Sequence, residues 1–176
     1  EVITDEGFLN NPYRTIRYES GAGALGYEWT SEIYPESRTS NAIGFNMRYY
    51  LPYRASISGG YRYYLDSWDI EAHTFDVGYV LPYDEKWLFD FSIRFYSQTK
   101  ASFYNDLFEV TQSFMARDKE LSTFSDQSIG FGVTYKLSRD QLGIFEKGSV
   151  NFAYSYFAFE YDDFRDVPYG KVNLLQ

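Results

Sequence analysis

The segment TSNAIGFNMRYYL, residues Thr39–Leu51, alternates between two kinds of side chain. From Ile43 onward its odd-numbered positions are apolar or aromatic, whereas its even-numbered positions are small, polar or charged except at Tyr50. A period of two residues is typical of a β-strand whose two faces meet different surroundings. The segment therefore predicts a strand with one apolar face and one polar face.

The same alternation recurs further along the chain, and the connections between most of these segments are short. Such connections predict antiparallel hairpins, with turns at Pro52 and Pro82. A soluble sandwich can show this pattern as well as a membrane barrel. The further predicted strands cover residues 55–66, 71–81, 87–97, 125–137 and 149–161.

The composition of the polar face favours the barrel. It consists mainly of Ser, Gly, Thr and Asn with scattered Arg and Asp, which suits a crowded, wet lumen better than an outer surface rich in Lys and Glu. We expect Arg48, Arg62 and Arg94 to pair with Asp66, Asp76 and Asp90 across this lumen. The complete set of predicted lumen charges is Arg48, Arg62, Asp66, Asp76, Asp90, Arg94, Asp126 and Lys136.

The overall composition restricts the class of protein. Aromatic residues make up 22% of the 176 residues, and Tyr and Trp suit a membrane–water boundary. A net charge of −9 argues against a nucleic acid partner. The chain has no cysteine and no apolar run of the roughly 20 residues that a membrane helix requires. Its mean hydropathy of −0.44 is compatible with a barrel, because barrel strands expose only alternate residues to lipid.

We predict a single β-barrel domain over residues 1–176. It comprises a less regular lead-in (1–38), the strands (39–161), a long extracellular loop (98–122) and a tail (162–176), with the Pro52 and Pro82 turns on the periplasmic side. The loop contains the charged run Arg117, Asp118, Lys119 and Glu120. This run is expected either to form salt bridges in solvent or to fold into the lumen as a plug or gate.

An enzyme is the weaker class, because no nucleophile–base pair, phosphate loop or dinucleotide motif occurs. His73 is the single histidine and suits a hydrogen-bonded strand end. Asp162 and Asp163, with Asp166 nearby, suit a solvated loop or a calcium site. No cofactor is predicted. Candidates for a titratable cluster at the outer rim are Asp66, His73, Asp118 and Glu120.

Several phrases resemble a family of uncharacterised Gram-negative outer-membrane β-barrel proteins that is catalogued as a domain of unknown function. They include RYYLPYRA (Arg48–Ala55), FYSQTKASFYNDLF (Phe95–Phe108) and ARDKELSTFS (Ala116–Ser125). The resemblance implies the fold and the location but carries no site residues. Members are often encoded beside a thioredoxin-like protein and a flavin transferase, which implies a link to envelope redox processes. Members also have an exported N-terminal portion and a closing aromatic-ended strand.

We therefore expect an all-β, antiparallel transmembrane barrel of the outer-membrane type. Because six strands are few for closure, we expect this chain to be an incomplete portion of a larger barrel, with the remainder missing from it or supplied by another chain. The expected function is a small-solute channel, or a sleeve or anchor for a protein partner in an envelope complex, with outer-membrane lipid around it. A soluble β-sheet binding module and, less favoured, an outer-membrane enzyme are the alternatives.

Overall fold

The computed structural model describes residues 1–7, 13–20, 26–137 and 148–164, and the regular structure in them is almost entirely β-strand. A short 3-10 turn, Lys119–Leu121, precedes β8. No described helix is long and apolar enough to cross a membrane. The strands are β1 (Val2–Glu6), β2 (Thr15–Glu19), β3 (Tyr27–Ser31), β4 (Ser37–Tyr50), β5 (Ser56–Asp66), β6 (Glu71–Tyr83), β7 (Trp87–Gln98), β8 (Phe124–Leu137) and β9 (Gly148–Tyr161).

Seven of these strands form one antiparallel sheet in the order β1-β4-β5-β6-β7-β8-β9, and β2 pairs with β3 in a separate small sheet. The prediction of an all-β, antiparallel fold is confirmed. Strands β4 to β9 correspond to the six predicted strands, with bounds that differ by two residues at most. The sheet is open among the described residues, so the expected barrel closure is not observed there.

The strand registers place most of the apolar positions of the large sheet on one side, with exceptions such as Val80, Leu88 and Phe157 on the other. Phe91, for example, lies between Tyr79 of β6 and Phe131 of β8, whereas Ser92 lies between Gly78 and Gly130. We call the side that carries Phe91 the apolar face and the side that carries Ser92 the polar face. The alternation read from the sequence therefore continues across neighbouring strands.

The buried core lies at one end of the sheet and not on either of its faces. The strands β2 and β3, together with residues 32–36 and 99–123, cover this end, and we call them the cap. Met115 and Ile33 exchange two backbone hydrogen bonds of 2.8 and 2.9 Å, and Phe108 bonds to the backbone of β2. Two buried clusters fill the cap and the adjoining β5–β6 turn: Trp68, Ile70, Ala101, Phe103, Tyr104, Ala116 and Leu121, and Ile16, Phe108 and Met115.

Asp66 organises the β5–β6 turn beneath the cap. Its Oδ1 accepts hydrogen bonds from the backbone N–H groups of Trp68 and Ile70 at 2.9 and 3.0 Å. Its Oδ2 accepts from Arg38 Nε at 2.8 Å and from the Tyr64 hydroxyl at 3.0 Å. The Arg38 guanidinium also lies 4.4 Å from the centre of the Trp68 ring. Because the Asp66 side chain is completely buried, these donors replace the water that a carboxylate would otherwise bind.

Replacing Asp66 should destabilise the protein. We expect Asp66→Ala to lower the free energy of unfolding by about 3 kcal/mol, because Arg38 and two buried N–H groups lose their acceptor. Urea-induced unfolding of the full chain measures this loss. The exposed neighbour Asp69 has φ of 64°, which Asn also tolerates, so Asp69→Asn is the matched control and should behave like the wild type. Equal stability of Asp66→Ala and the control would contradict the assigned role.

Candidate functional site

A cavity of about 400 Å³ lies between the cap and the polar face. Strands β4 to β7 supply its floor, and residues 118–121 of the cap lie across it. Its walls are aromatic and charged, which is a common composition for a site that binds a small polar molecule. The lining residues are Asp5, Tyr34, Arg38, Arg62, Tyr64, Trp68, Ile70, Ala72, Thr74, Tyr96, Gln98, Asp118, Glu120 and Leu121.

Three neighbouring strands contribute one row of polar groups to the cavity floor. Arg62 of β5 is the direct cross-strand partner of Thr74 of β6, and Thr74 in turn faces Tyr96 of β7. The Arg62 guanidinium lies 5.6 Å from the centre of the Tyr64 ring. Directly opposite residues of an antiparallel pair have Cβ atoms about 4.5–5.5 Å apart. The guanidinium and the threonine hydroxyl can therefore bind the same small ligand.

Gln98 fixes the cap to the sheet. Its side-chain amide donates hydrogen bonds to the carbonyl oxygens of Glu120 and Ser122 at 2.9 and 3.0 Å, and its Oε1 accepts one from the Tyr96 hydroxyl at 2.6 Å. The amide group thus uses both of its N–H donors on the cap. This arrangement holds residues 120–122 over the polar face.

The charged run 117–120 both forms ion pairs and lines the cavity. Arg117 donates from Nε to Asp106 Oδ1 at 2.9 Å, and Asp118 forms an ion pair with Arg14. Lys119 lies beside the ring of Tyr161. The side chains of Asp118 and Glu120 line the cavity. The run therefore forms salt bridges within the cap and lies against the polar face, and its role as a plug or gate stays a prediction.

The predicted lumen charges lie on the polar face with one exception. Arg94 Nε is 3.9 Å from Asp76 Oδ1, and because both side chains are 54% exposed, this contact is weak. Asp66 is buried beneath the turn, and its cation is Arg38, which was not among the predicted partners. Arg38 lies one residue before the predicted strand, so the alternation did not identify it as a partner of Asp66. The remaining predicted charges, which follow the strand registers, are Arg48, Arg62, Asp90, Asp126 and Lys136.

The structure does not assemble the predicted titratable cluster. His73 belongs to the apolar face, where its Nδ1 lies 2.8 Å from the Tyr61 hydroxyl, whereas Asp118 and Glu120 lie on the other side of the sheet. Within residues 1–7, 13–20, 26–137 and 148–164, no group of three or more His, Cys, Asp or Glu side chains can hold a metal ion. Asp162 and Asp163 follow β9, and Asp166, the third residue considered for calcium, is outside the described residues.

Glu32, a buried acid directly after β3, joins two parts of the cap. Its Oε1 accepts the backbone N–H of Arg117 at 2.8 Å, and its Oε2 accepts the Tyr34 hydroxyl at 3.1 Å. Burial raises the pKa of Glu32, an effect that these hydrogen bonds oppose and nearby Asp118 strengthens. Burial likewise raises the pKa of Tyr34 far above its usual range, so its hydroxyl stays protonated and remains a donor. Sequence analysis missed Glu32 because its partner is 85 residues away.

This raised pKa predicts a pH dependence that Glu32→Gln should remove. An acid with a raised pKa in the folded state is still protonated there when it has already ionised in the unfolded chain. Wild-type stability should therefore fall as pH rises from 4.5 through the folded-state pKa, and the glutamine variant should lack this component. Thermal unfolding across about pH 4 to 8 tests this. Glu36→Gln, at an exposed position nearby, should retain the wild-type profile; identical profiles for all three proteins would contradict the prediction.

Comparison with known proteins gives a family but no named function. The family described as "Protein of unknown function (DUF3570)" matches residues 2–161. Neither curated proteins nor solved structures gave a match. Because the match covers most of the sequence, the chain belongs to the DUF3570 family of proteins of unknown function.

Proposed function

We propose that this chain forms part of the wall of a transmembrane β-barrel in a bacterial outer membrane, and that the barrel is a small-solute channel narrowed by the cap. The observation that carries this proposal is the uncovered apolar face. Its central row contains Met47, Val77, Ile93 and Ile129, which are between 40% and 61% exposed. A continuous apolar surface of this kind requires a nonaqueous neighbour.

The order of side chains on the apolar face supports lipid as that neighbour. The central row is mainly aliphatic. Aromatic rings are concentrated in the rows on either side of it, with Tyr61 and Phe75 toward the cap and Tyr79, Phe91 and Phe131 toward the other end. Outer-membrane barrels have an apolar band flanked by aromatic girdles at the two interfaces.

The length of the apolar face is also suitable. On β7 it extends from Trp87 to Phe95, which corresponds to about 26 Å along a strand at about 3.3 Å per residue. With a strand tilt of about 40°, the height is about 20 Å, close to the apolar band of about 25 Å in such barrels. A soluble binding module would instead need a second layer over this face, and none of the described residues provides one.

The cavity under the cap supports the channel interpretation. A barrel lumen lined by the polar face would be narrowed where residues 118–121 cross it, and charged side chains of both signs meet there. Such a constriction selects solutes by size and charge. The alternative is a sleeve or anchor for a protein partner in an envelope complex, and a link to redox processes belongs with that alternative.

Two arginine substitutions at adjacent positions test the membrane assignment. Ile93→Arg places a charge at the centre of the apolar face. It should destabilise the protein folded in lipid vesicles by about 2–4 kcal/mol. Ser92→Arg places the same charge on the polar face between Gly78 and Gly130, where there is room for it, and should cost much less. Urea titration of the vesicle-folded protein measures both. Equal costs, or a protein that stays in the aqueous phase during detergent partition, would oppose the proposal.

Conductance across planar bilayers tests the channel assignment. We expect the wild type to pass small ions and Gln98→Ala to pass more, because the cap loses two hydrogen bonds worth about 1 kcal/mol each. Gln127→Ala, at an exposed position on the neighbouring strand, is the control and should conduct like the wild type. If neither the wild type nor Gln98→Ala conducts after insertion into the bilayer, the result would favour the sleeve or anchor.

A further inference from the structure

We infer that the cavity under the cap binds a small zwitterion of the amino-acid or dipeptide class. Arg62 and Thr74 bind its carboxylate, and the acidic side chains of the cap face its ammonium group. The inference deepens the proposed function by naming the solute class, and it rests on that function only for the transport step. Binding itself is a separate property of the cavity.

The carboxylate subsite follows from two polar groups that form no hydrogen bond or ion pair with any described residue. Thr74 is only 5% exposed, and its hydroxyl makes no hydrogen bond to any described residue. Its cross-strand neighbour Arg62 forms no ion pair within the described residues. A guanidinium beside a hydroxyl donor suits a carboxylate, since arginine binds both carboxylate oxygens with parallel N–H groups. Thr74 lines the cavity, so its hydroxyl can donate to a ligand there.

Arg38, the other cationic residue of the cavity, is not available to bind the carboxylate of a ligand. Arg38 is held by Asp66 through Nε and the terminal nitrogen, and it also faces Asp5 across the β1–β4 pair. The positive charge that remains for a ligand is therefore that of Arg62. This restricts the anionic group of the ligand to the floor of the cavity.

The ammonium subsite is supplied by the cap. Gln98 holds the Glu120 backbone over β7, two residues along the strand from Tyr96, which faces Thr74. Thr74 and Gln98 are diagonal neighbours, about 7–8 Å apart, so the Glu120 backbone that Gln98 binds lies close to the carboxylate subsite. Asp118 is partly neutralised by Arg14, whereas Glu120 has no ion pair among the described residues. Residues of opposite charge, Arg62 on the floor and Glu120 on the cap, thus line the same cavity.

The size and walls of the cavity agree with this class of ligand. A volume of about 400 Å³ lies at the lower end of the range for small-molecule sites. The rings of Tyr34, Tyr64, Trp68 and Tyr96 provide apolar wall around the charged ends. Such walls give the body of a ligand apolar contact between its two charged ends.

Calorimetric titration of the detergent-solubilised full chain with glycylglycine tests the inference. The matched probes are N-acetylglycine, which keeps only the carboxylate, glycinamide, which keeps only the cation, and glucose, which has no charge. We expect measurable binding of glycylglycine and weaker binding of all three matched probes. Arg62→Gln and Glu120→Gln should each weaken glycylglycine binding roughly tenfold or more, because each removes one charged contact. Arg48→Gln, on the polar face but outside the cavity lining, should bind like the wild type.

The outcomes are distinguishable from those of the proposed function. Absence of glycylglycine binding, or equal binding by Arg62→Gln, would overturn the inference even if the barrel conducts ions. Equal binding of N-acetylglycine would reduce the site to an anion site, and preference for glucose would replace charge recognition with sugar recognition; both overturn it. Zwitterion binding by a protein that does not conduct would leave the inference intact and remove the channel.

Discussion

The structure depends on the antiparallel register that keeps the two-residue alternation in phase across β4 to β9. Because side chains alternate with a period of two, a shift of one residue in any pair would move apolar side chains to the polar face. The pairings of Val77 with Ile93 and of Ile93 with Ile129 show the correct phase at the centre of the sheet. Short turns such as 84–86 help to maintain it. The two faces can therefore meet solvents as different as lipid and water.

The cap depends on a different kind of interaction. Its cohesion comes from two small buried clusters and from polar side chains that satisfy backbone groups far away in the sequence. Asp66 holds the β5–β6 turn, Glu32 accepts from residue 117, and Gln98 donates to residues 120 and 122. Each of these side chains lies at the end of a strand or directly after it. Each therefore fixes an irregular segment to the end of a strand. These contacts hold the cap in the position that forms the cavity.

The sequence allowed prediction of the strands and much less of the cap, for a physical reason. Alternation is a local property, so β4 to β9 could be located from their own residues. β1 could not, because VITDE is short and gains its structure by pairing with Ser37–Asn41, more than 30 residues later. Of the candidate site, Arg62 and Glu120 were recognised as charges. Their common cavity was not, because it exists only when the connection from β7 folds back on the sheet.

The free edges of the large sheet constrain any barrel that contains it. Among the described residues, β9 pairs only with β8, and the 43–50 part of β4 pairs only with β5 along its length. Five consecutive antiparallel pairings separate β4 from β9, so these two edges run in opposite directions. At the level of residues 43–50, an all-antiparallel barrel would therefore be completed only by joining the two edges directly or by inserting an even number of strands. The six strands contribute an even number themselves, so the wall of such a barrel would have an even number of strands, which is the rule for single-chain bacterial barrels.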